Sequence, residues 1–438
     1  MDKLQRAIDK AVPQEVRTIS RVLHQAGHAS WLVGGSVRDI YLAVEAGRAP
    51  EARGDWDFAT EARPEQVMKL FQRVIPTGIQ HGTVTIVLSK KHFEVTTLRG
   101  EKGHTDGRRP DEVYFVDDLK EDLARRDFTI NAMAFNLEDS SFHDPFCGAK
   151  DLKAKQLVAV GEPLERFSED GLRVLRGARF CATLNMNLEA NTEAGIEPSL
   201  ESFKKVAQER VRDEWFKALS SAHPSRFFQV IRKCGLLEIT APALSQHIAP
   251  HLPTFDRICS QIDTAPRKPI TRLALFVALV CSLETTPQID AKLTARALGS
   301  RLKLSRVELS ELVLLAEHTS MNDDFLGAPS DEKGRRWIRS VGKKHAEAIM
   351  CLQKIAELSS PAPLAICHSI VQEQLKADAA VSIGELQIKG GDLIAEASVP
   401  KGPQLGETLA LLLEAVIQDP SLNSREKLLA LARERASL

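Results

Sequence analysis

The stretch "LVGGSVRD", residues 32–39, sets two glycines, a serine and an Arg-Asp pair between an apolar run and the start of a helical pattern. A plain turn needs only one glycine at positive φ. Two glycines followed by Ser36 and Asp39 point to a strand that delivers its backbone to a helix N-terminus. That geometry suits an anion.

Outward from this point, short β-rich runs occupy residues 30 to about 145: "WLVGG", "DWDFAT", "GTVTIVL", "HFEVTTLR", "VYFV" and "AMAFNL". A helical segment over 64–73 interleaves with them, and residues 1–25 read as one helix. Beyond residue 150 helical periodicity dominates, broken by loops near "SAHP", "TAPRKP", "SSPAP" and "VPKGPQLG". The expectation is a mixed α/β head followed by a long all-α remainder. Lys and Arg (58) nearly balance Asp and Glu (59), so a polyanionic partner must be met by a local patch rather than a global field. The seven cysteines are widely spaced and form no C-x-x-C. That excludes a disulfide framework or a cysteine zinc site and favours a reducing cytoplasm. The N-terminal "MDKLQRAIDKAVPQEV" has mixed charge rather than an apolar signal region. No apolar stretch approaches a membrane span, and "LALFVALVCSL" (273–283) suits a buried core helix.

"GDWDFAT" (54–60) supplies the chemistry. Side chains alternate along a strand, so Asp55 and Asp57 share one face while Trp56 and Phe58 enter the core. Two carboxylates on one face repel each other unless a cation sits between them, and magnesium, a hard ion, fits. Taken alone, D-x-D equally suits a solvated strand end. "HFEVTTLR" then puts Glu94 on the face opposite Phe93 and Val95. Three carboxylates facing a phosphate cradle are what two-metal phosphoryl transfer requires. "RRDFTINA" (125–132) adds arginine for phosphate oxygens and Asp with Asn for sugar hydroxyls, although a charged loop capping a strand reads the same way. "FSEDGLRVLRGARF" (167–180) reads as one helix with Leu172, Leu175 and Ala178 buried. Asp170 and Arg173 lie together on its other side, an acceptor beside donors able to read a base edge, with Gly177 leaving room for a ring. The plain alternative is an i,i+3 ion pair.

These motifs, together with "DPFCGAKDL", "VGEPLERF" and "ERVRDEWFKAL", resemble in order the bacterial class II tRNA nucleotidyltransferases, or CCA-adding enzymes. Bacterial poly(A) polymerases share them. The resemblance runs from residue 30 to about 240 and continues weakly through "QIKGGDLIAEASVPKGPQLGETL" (387–409). It implies an α+β nucleotidyltransferase head, a polymerase-beta-like mixed sheet with helices, over residues 1–147. All-α neck, body and tail domains would follow at 148–220, 221–330 and 331–438. It implies Mg2+ at Asp55 and Asp57, with Glu94 as the third carboxylate. Gly34 and Gly35 would let the backbone approach the triphosphate, Ser36 would cap the helix, and Arg38 and Arg126 would touch the nucleotide. Asp127 and Asn131 would help with ribose and phosphate. Asp170 and Arg173 would form the protein template for the base, with Arg176 and Arg179 as further nucleotide contacts. The helical reading sets Arg179 on the far side from Asp170. Val158 stands where an arginine is common in the family.

The implied substrates are CTP, ATP and the tRNA 3′ acceptor end, with no membrane and no protein partner evident. The alternatives are an A-adding or CC-adding enzyme, a poly(A) polymerase, and a catalytically inactive RNA-binding relative. All three carboxylates are present, and the last fifty residues mix charges rather than forming a basic extension. In the family that the chain resembles, members restricted to adding CC tend to lack a flexible loop before "RRDFT", so the long glycine- and charge-rich stretch 100–124, with Arg108 and Arg109, implies complete CCA addition. The sole His-Asp dipeptide is His143-Asp144, and no second, hydrolytic centre is expected.

Overall fold

The computed structural model describes residues 2–50, 55–102, 112–283 and 289–436. Arg108, Arg109 and Gly54 lie outside the described residues. The chain divides into two compact units, Met1–Pro242 and Ala243–Leu438.

The first unit is built on strands β1 (Ser30–Val33), β2 (Asp57–Thr60), β3 (Val74–Gly78), β4 (Thr83–Leu88), β5 (Lys91–Thr97), β6 (Arg99–Lys102), β7 (Glu112–Phe115), β8 (Ala134–Phe135) and β9 (Phe142–His143). Seven of them form one mixed sheet in the order β3-β4-β5-β2-β1-β8-β9, and β6 pairs with β7 as a separate hairpin. β1 is buried along its whole length, as a continuous apolar strand at the centre of a sheet should be. β2 runs antiparallel to β1 and parallel to β5, which puts Val33 opposite Asp57 and Asp57 opposite Glu94. Ser89 and Lys90, both at positive φ, make the two-residue turn between β4 and β5. That turn type matches the right-handed twist of its strands and fixes their register. The alternation read from the sequence holds: Trp56, Phe58, Phe93 and Val95 are buried while Asp57 and Glu94 face outward. β3 escaped the sequence pattern because "VIPTG" is mostly exposed and carries Pro76, which an edge strand tolerates.

Helices α1 (Asp2–Ala11) and α2 (Gln14–Gln25) replace the single N-terminal helix expected over 1–25. Pro13 has no N–H with which to extend α1, and its fixed φ suits the start of α2. Next come α3 (Gly35–Glu45), α4 (Pro64–Leu70), α5 (Leu119–Ala124), α6 (Gly148–Ala154), α7 (Pro163–Glu169) and α8 (Leu172–Leu184). The stretch 167–180 is therefore not one helix. Asp170 is extended (φ −142°, ψ 103°), so the chain turns between α7 and α8. The cause is tertiary: a Cβ at Gly171 would lie 2.5 Å from the Ser202 carbonyl, so only glycine lets the start of α8 meet that backbone. Leu172, Leu175 and Ala178 are buried as expected. Gly177 is also buried. The space beside it is filled by Phe128, 3.3 Å from where a Cβ would sit, so it does not open a place for a base.

The second unit is helical throughout its described residues. The apolar helix Pro269–Cys281 is buried from Ile270 onward, as its sequence required. Leu393, Val416, Ile417 and Leu428 centre a separate core nearer the C-terminus. The buried Arg335 donates to the Ile417 carbonyl at 2.7 Å and to Gln374 Oε1 at 2.8 Å, holding helix ends that would otherwise leave carbonyls unmet. No described helix is long and apolar enough to cross a membrane.

Gly171→Ala should destabilise the protein by about 1–3 kcal/mol, the usual range for overpacking. The clash is with backbone and cannot be relieved by a rotamer change. Thermal and urea unfolding measure it, and a variant as stable as the parent would contradict the close approach.

Candidate active site

β1 ends at Val33, and α3 begins two residues later. Gly34 sits at φ 74°, ψ −133°, a conformation reserved for glycine, and its N–H reaches the Met133 carbonyl at 3.4 Å. A side chain there would also meet Arg126 Nη1, 3.1 Å from the Cβ position. The N–H groups of the first turn of α3 have no intrahelical partner and open next to the strand end that carries Asp57. Ser36 does not cap this helix. It lies inside the first turn, and its hydroxyl donates back to the Val33 carbonyl at 3.4 Å.

Register makes Asp57 and Glu94 neighbours on one face of the sheet, and Asp55 immediately precedes β2. The side chain of Asp57 reaches the surface, yet the surrounding wall desolvates its carboxylate and raises its pKa. Glu94 and Asp55 raise it further, while Arg126 opposes the shift. Desolvation and the neighbouring carboxylates thus both disfavour the ionised form of Asp57. Among the described residues no three His, Cys, Asp or Glu side chains close around one point to hold a metal alone. The site is open-sided, so a cation at Asp55 and Asp57 would take its remaining oxygens from triphosphate or water.

A chain of hydrogen bonds and ion pairs links α3 to α8. Arg38, largely buried, donates from Nε to Asp39 and from Nη1 to Asn131 Oδ1 at 2.6 Å. Asn131 Nδ2 donates to Asp127 Oδ1 at 2.9 Å. Asp127 also accepts the Phe128 N–H at 2.8 Å and both Nε (2.8 Å) and Nη2 (2.7 Å) of Arg176. Burial alone would raise the Asp127 pKa, but Arg176, the Asn131 hydrogen bond and nearby Arg173 outweigh it and hold the carboxyl far below the usual range. Arg179 joins the same network: it pairs with the buried Glu214, which lies 3.9 Å from Arg176 Nη1. The guanidiniums of Arg38, Arg176 and Arg179 lie 5.3, 5.3 and 3.7 Å from the ring centre of Phe180. Asp127 and Asn131 are thus tied into the frame beneath the site.

Asp170 and Arg173 are not paired with each other. Asp170 receives two hydrogen bonds from Arg210, at 2.7 and 3.2 Å, and caps the Leu172 N–H at 3.0 Å. Arg173 Nη1 donates to Glu169 Oε2 (2.6 Å) and the Arg166 carbonyl (2.9 Å), and its Nη2 to the Arg125 carbonyl (2.9 Å). The i,i+3 ion pair therefore does not form, because the chain turn at Asp170 moves the carboxylate off the helix. The sequence reading missed Phe180, Arg210 and Glu214. Glu214, beside Trp215 on an otherwise apolar stripe of "ERVRDEWFKAL", was the one with a visible signal. Val158 is half-buried, and its carbonyl accepts the Thr129 N–H at 2.9 Å. His143 meets the Ser141 hydroxyl and the Trp31 ring edge, while Asp144 caps the Gly148 and Ala149 N–H groups of α6. This His-Asp pair is engaged in turn and helix-cap contacts.

Three family profiles match the chain: the poly A polymerase head domain over residues 30–158, the RNA- and SrmB-binding site of polymerase A over 185–248, and tRNA nucleotidyltransferase domain 2 over 336–432. The chain is 31% identical over 425 residues to a CCA-adding enzyme of Pediococcus pentosaceus, covering 95% of this chain and 98% of that one. In three dimensions it matches the crystal structure of the Bacillus stearothermophilus CCA-adding enzyme in complex with CTP at a TM-score of 0.74 and 28% identity, covering 97% of each chain. The Thermotoga maritima CCA-adding enzyme complexed with tRNA shares the fold at a TM-score of 0.65 and 17% identity, covering 99% of this chain and 98% of that one. Full-length similarity of this order, on top of the paired carboxylates beside a glycine-opened helix, places the chain among the class II tRNA nucleotidyltransferases: it belongs to the family of CCA-adding enzymes.

Proposed function

We propose that this chain adds C, C and A to tRNA 3′ ends from CTP and ATP, without a nucleic-acid template, in the cytoplasm. The observation that carries this reading is the register pairing of Asp57 with Glu94 beside the Gly34–α3 opening, on a chain related end to end to CCA-adding enzymes.

In this reading the N–H groups at the start of α3 and the Arg126 guanidinium receive the triphosphate. Arg38, fixed by Asn131 and Asp39, adds positive charge from the inner wall. Asp55 and Asp57 would hold Mg2+, and Glu94 would add to the negative field that makes a cation welcome there. Bound at that point, magnesium supplies charge for the triphosphate and acidity for the attacking tRNA 3′-hydroxyl. Arg173 keeps its Nε and one Nη2 hydrogen uncommitted, and the Asp170 oxygens retain lone pairs. Such a donor–acceptor pair suits cytosine and adenine alike, since each presents an amine beside a ring-nitrogen acceptor. Uracil and guanine present a carbonyl beside a ring N–H and would be rejected. Arg176 and Arg179, held by Asp127 and Glu214, would add positive charge that helps retain the nucleotide. The head, neck, body and tail divisions at 1–147, 148–220, 221–330 and 331–438 complete the proposal.

Unlabelled tRNA transcripts lacking CCA, CA or only A, each supplied with CTP and ATP, test the function. Extension of the shortest transcript through the final A is expected. A product stopping at CC, or activity only on the CC-ending transcript, would overturn complete addition.

Asp57→Asn tests the site and its electrostatics together. The raised pKa means that the ionised carboxylate is less favourable in the folded than in the unfolded protein, so stability is lost as pH rises through the folded pKa. The variant should lose nucleotide addition, yet at pH 7 without divalent metal it should melt no lower than the parent. Substantial magnesium-dependent activity would refute the assignment, and a marked loss of thermal stability would refute the charge argument.

A further inference from the structure

Asp122, on α5, is a buried acid that the proposed mechanism does not use. Only about 1% of its side chain is exposed. Its two oxygens have different surroundings. Oδ1 accepts Nε and Nη2 of Arg125, at 3.0 and 2.8 Å, and the backbone N–H of Arg99 at 3.4 Å. Among the described residues Oδ2 accepts no hydrogen bond, and it lies 3.7 Å from Arg126 Nη2.

The two adjacent arginines are therefore held in different ways. Arg125 is locked, and its backbone carbonyl receives Nη2 of Arg173. Arg126 has an unpartnered Nε and one long hydrogen bond, Nη1 to the Asn131 carbonyl at 3.4 Å. Its attraction to Asp122 is electrostatic and not directional, which keeps the guanidinium against Gly34 without latching it there. Arg99 opens β6, so the same carboxylate also fixes the base of the β6–β7 hairpin to α5.

We propose that Asp122 is a positioning residue for both halves of nucleotide recognition: it poises Arg126 for the triphosphate and, through the Arg125 carbonyl, sets Arg173 for the base. This rests on the proposed roles of Arg126 and Arg173. A merely structural acid would, when removed, lower the folded fraction and scale activity down for every nucleotide equally. A positioning acid changes ratios. Asp122→Asn should raise KM for both CTP and ATP and lower the preference for CTP over UTP by roughly tenfold. Asp122→Glu, which keeps the charge, should recover part of both losses.

Steady-state kinetics with CTP, ATP and UTP on a tRNA transcript lacking CCA decide it, with Arg173→Ala measured alongside. If Asp122→Asn fails to fold, the double variant Asp122→Asn/Arg125→Gln replaces the buried ion pair with two amides and carries the same expectation. A folded variant with parental KM values and parental CTP-over-UTP preference overturns the proposal, whatever its kcat. Should Arg173→Ala itself keep the parental preference, the base-reading assignment fails, and the KM effect through Arg126 alone decides the role of Asp122.

Discussion

The ion pair between the buried Asp127 and the half-buried Arg176 is the joint on which the site depends. Asp127 accepts a backbone N–H, an asparagine amide and two N–H prongs of a guanidinium fork. A carboxylate buried without those donors would carry a large desolvation penalty. With them it fixes Arg176 on α8 and, through Asn131, Arg38 on α3. Glu214 extends the arrangement to Arg179, and all three guanidiniums approach the Phe180 ring. The helix that carries the proposed base-reading arginine is thereby set against the sheet that carries the carboxylates.

Asp57 is the counterpart of Asp127. Both are acids set into protein, but Asp127 is surrounded by donors and Asp57 by other carboxylates. Their pKa values are pushed in opposite directions. One carboxylate is saturated by donors, while the other stands with few partners beside a helix N-terminus. The polymerisation chemistry proposed for the chain needs that unmet negative charge, and the frame needs the met one. Asp122 is intermediate, with one oxygen saturated and the other facing an arginine without a hydrogen bond.

Much of this was legible in the sequence because it depends on local period. The alternation in "DWDFAT" and "HFEVTTLR" oriented Asp57 and Glu94 correctly, and the two glycines of "LVGGSVRD" marked the opening of α3. What the sequence did not reveal depends on distant contacts. The break between α7 and α8 arises where Gly171 touches the Ser202 backbone, thirty-one residues away in the chain. Asp170 turns to Arg210, and Arg173 to Glu169 and two carbonyls, so a pairing inferred from i,i+3 spacing could not form. Pro13 did announce the division between α1 and α2, but the amphipathic pattern on either side of it masked the signal. Asp122 and Phe180 look like an ordinary helical acid and a core aromatic until the fold brings arginines to them, whereas Glu214 stands on an otherwise apolar helical stripe and could have been noticed.

The most direct test of the account is a crystal structure with a non-hydrolysable CTP analogue and Mn2+ in place of Mg2+, with the metal located by anomalous scattering. The expected result is a metal peak beside Asp55 and Asp57, the triphosphate against the start of α3, and the cytosine edge facing Asp170 and Arg173. Nucleotide bound with its base away from that pair, or metal peaks remote from both aspartates, would contradict it.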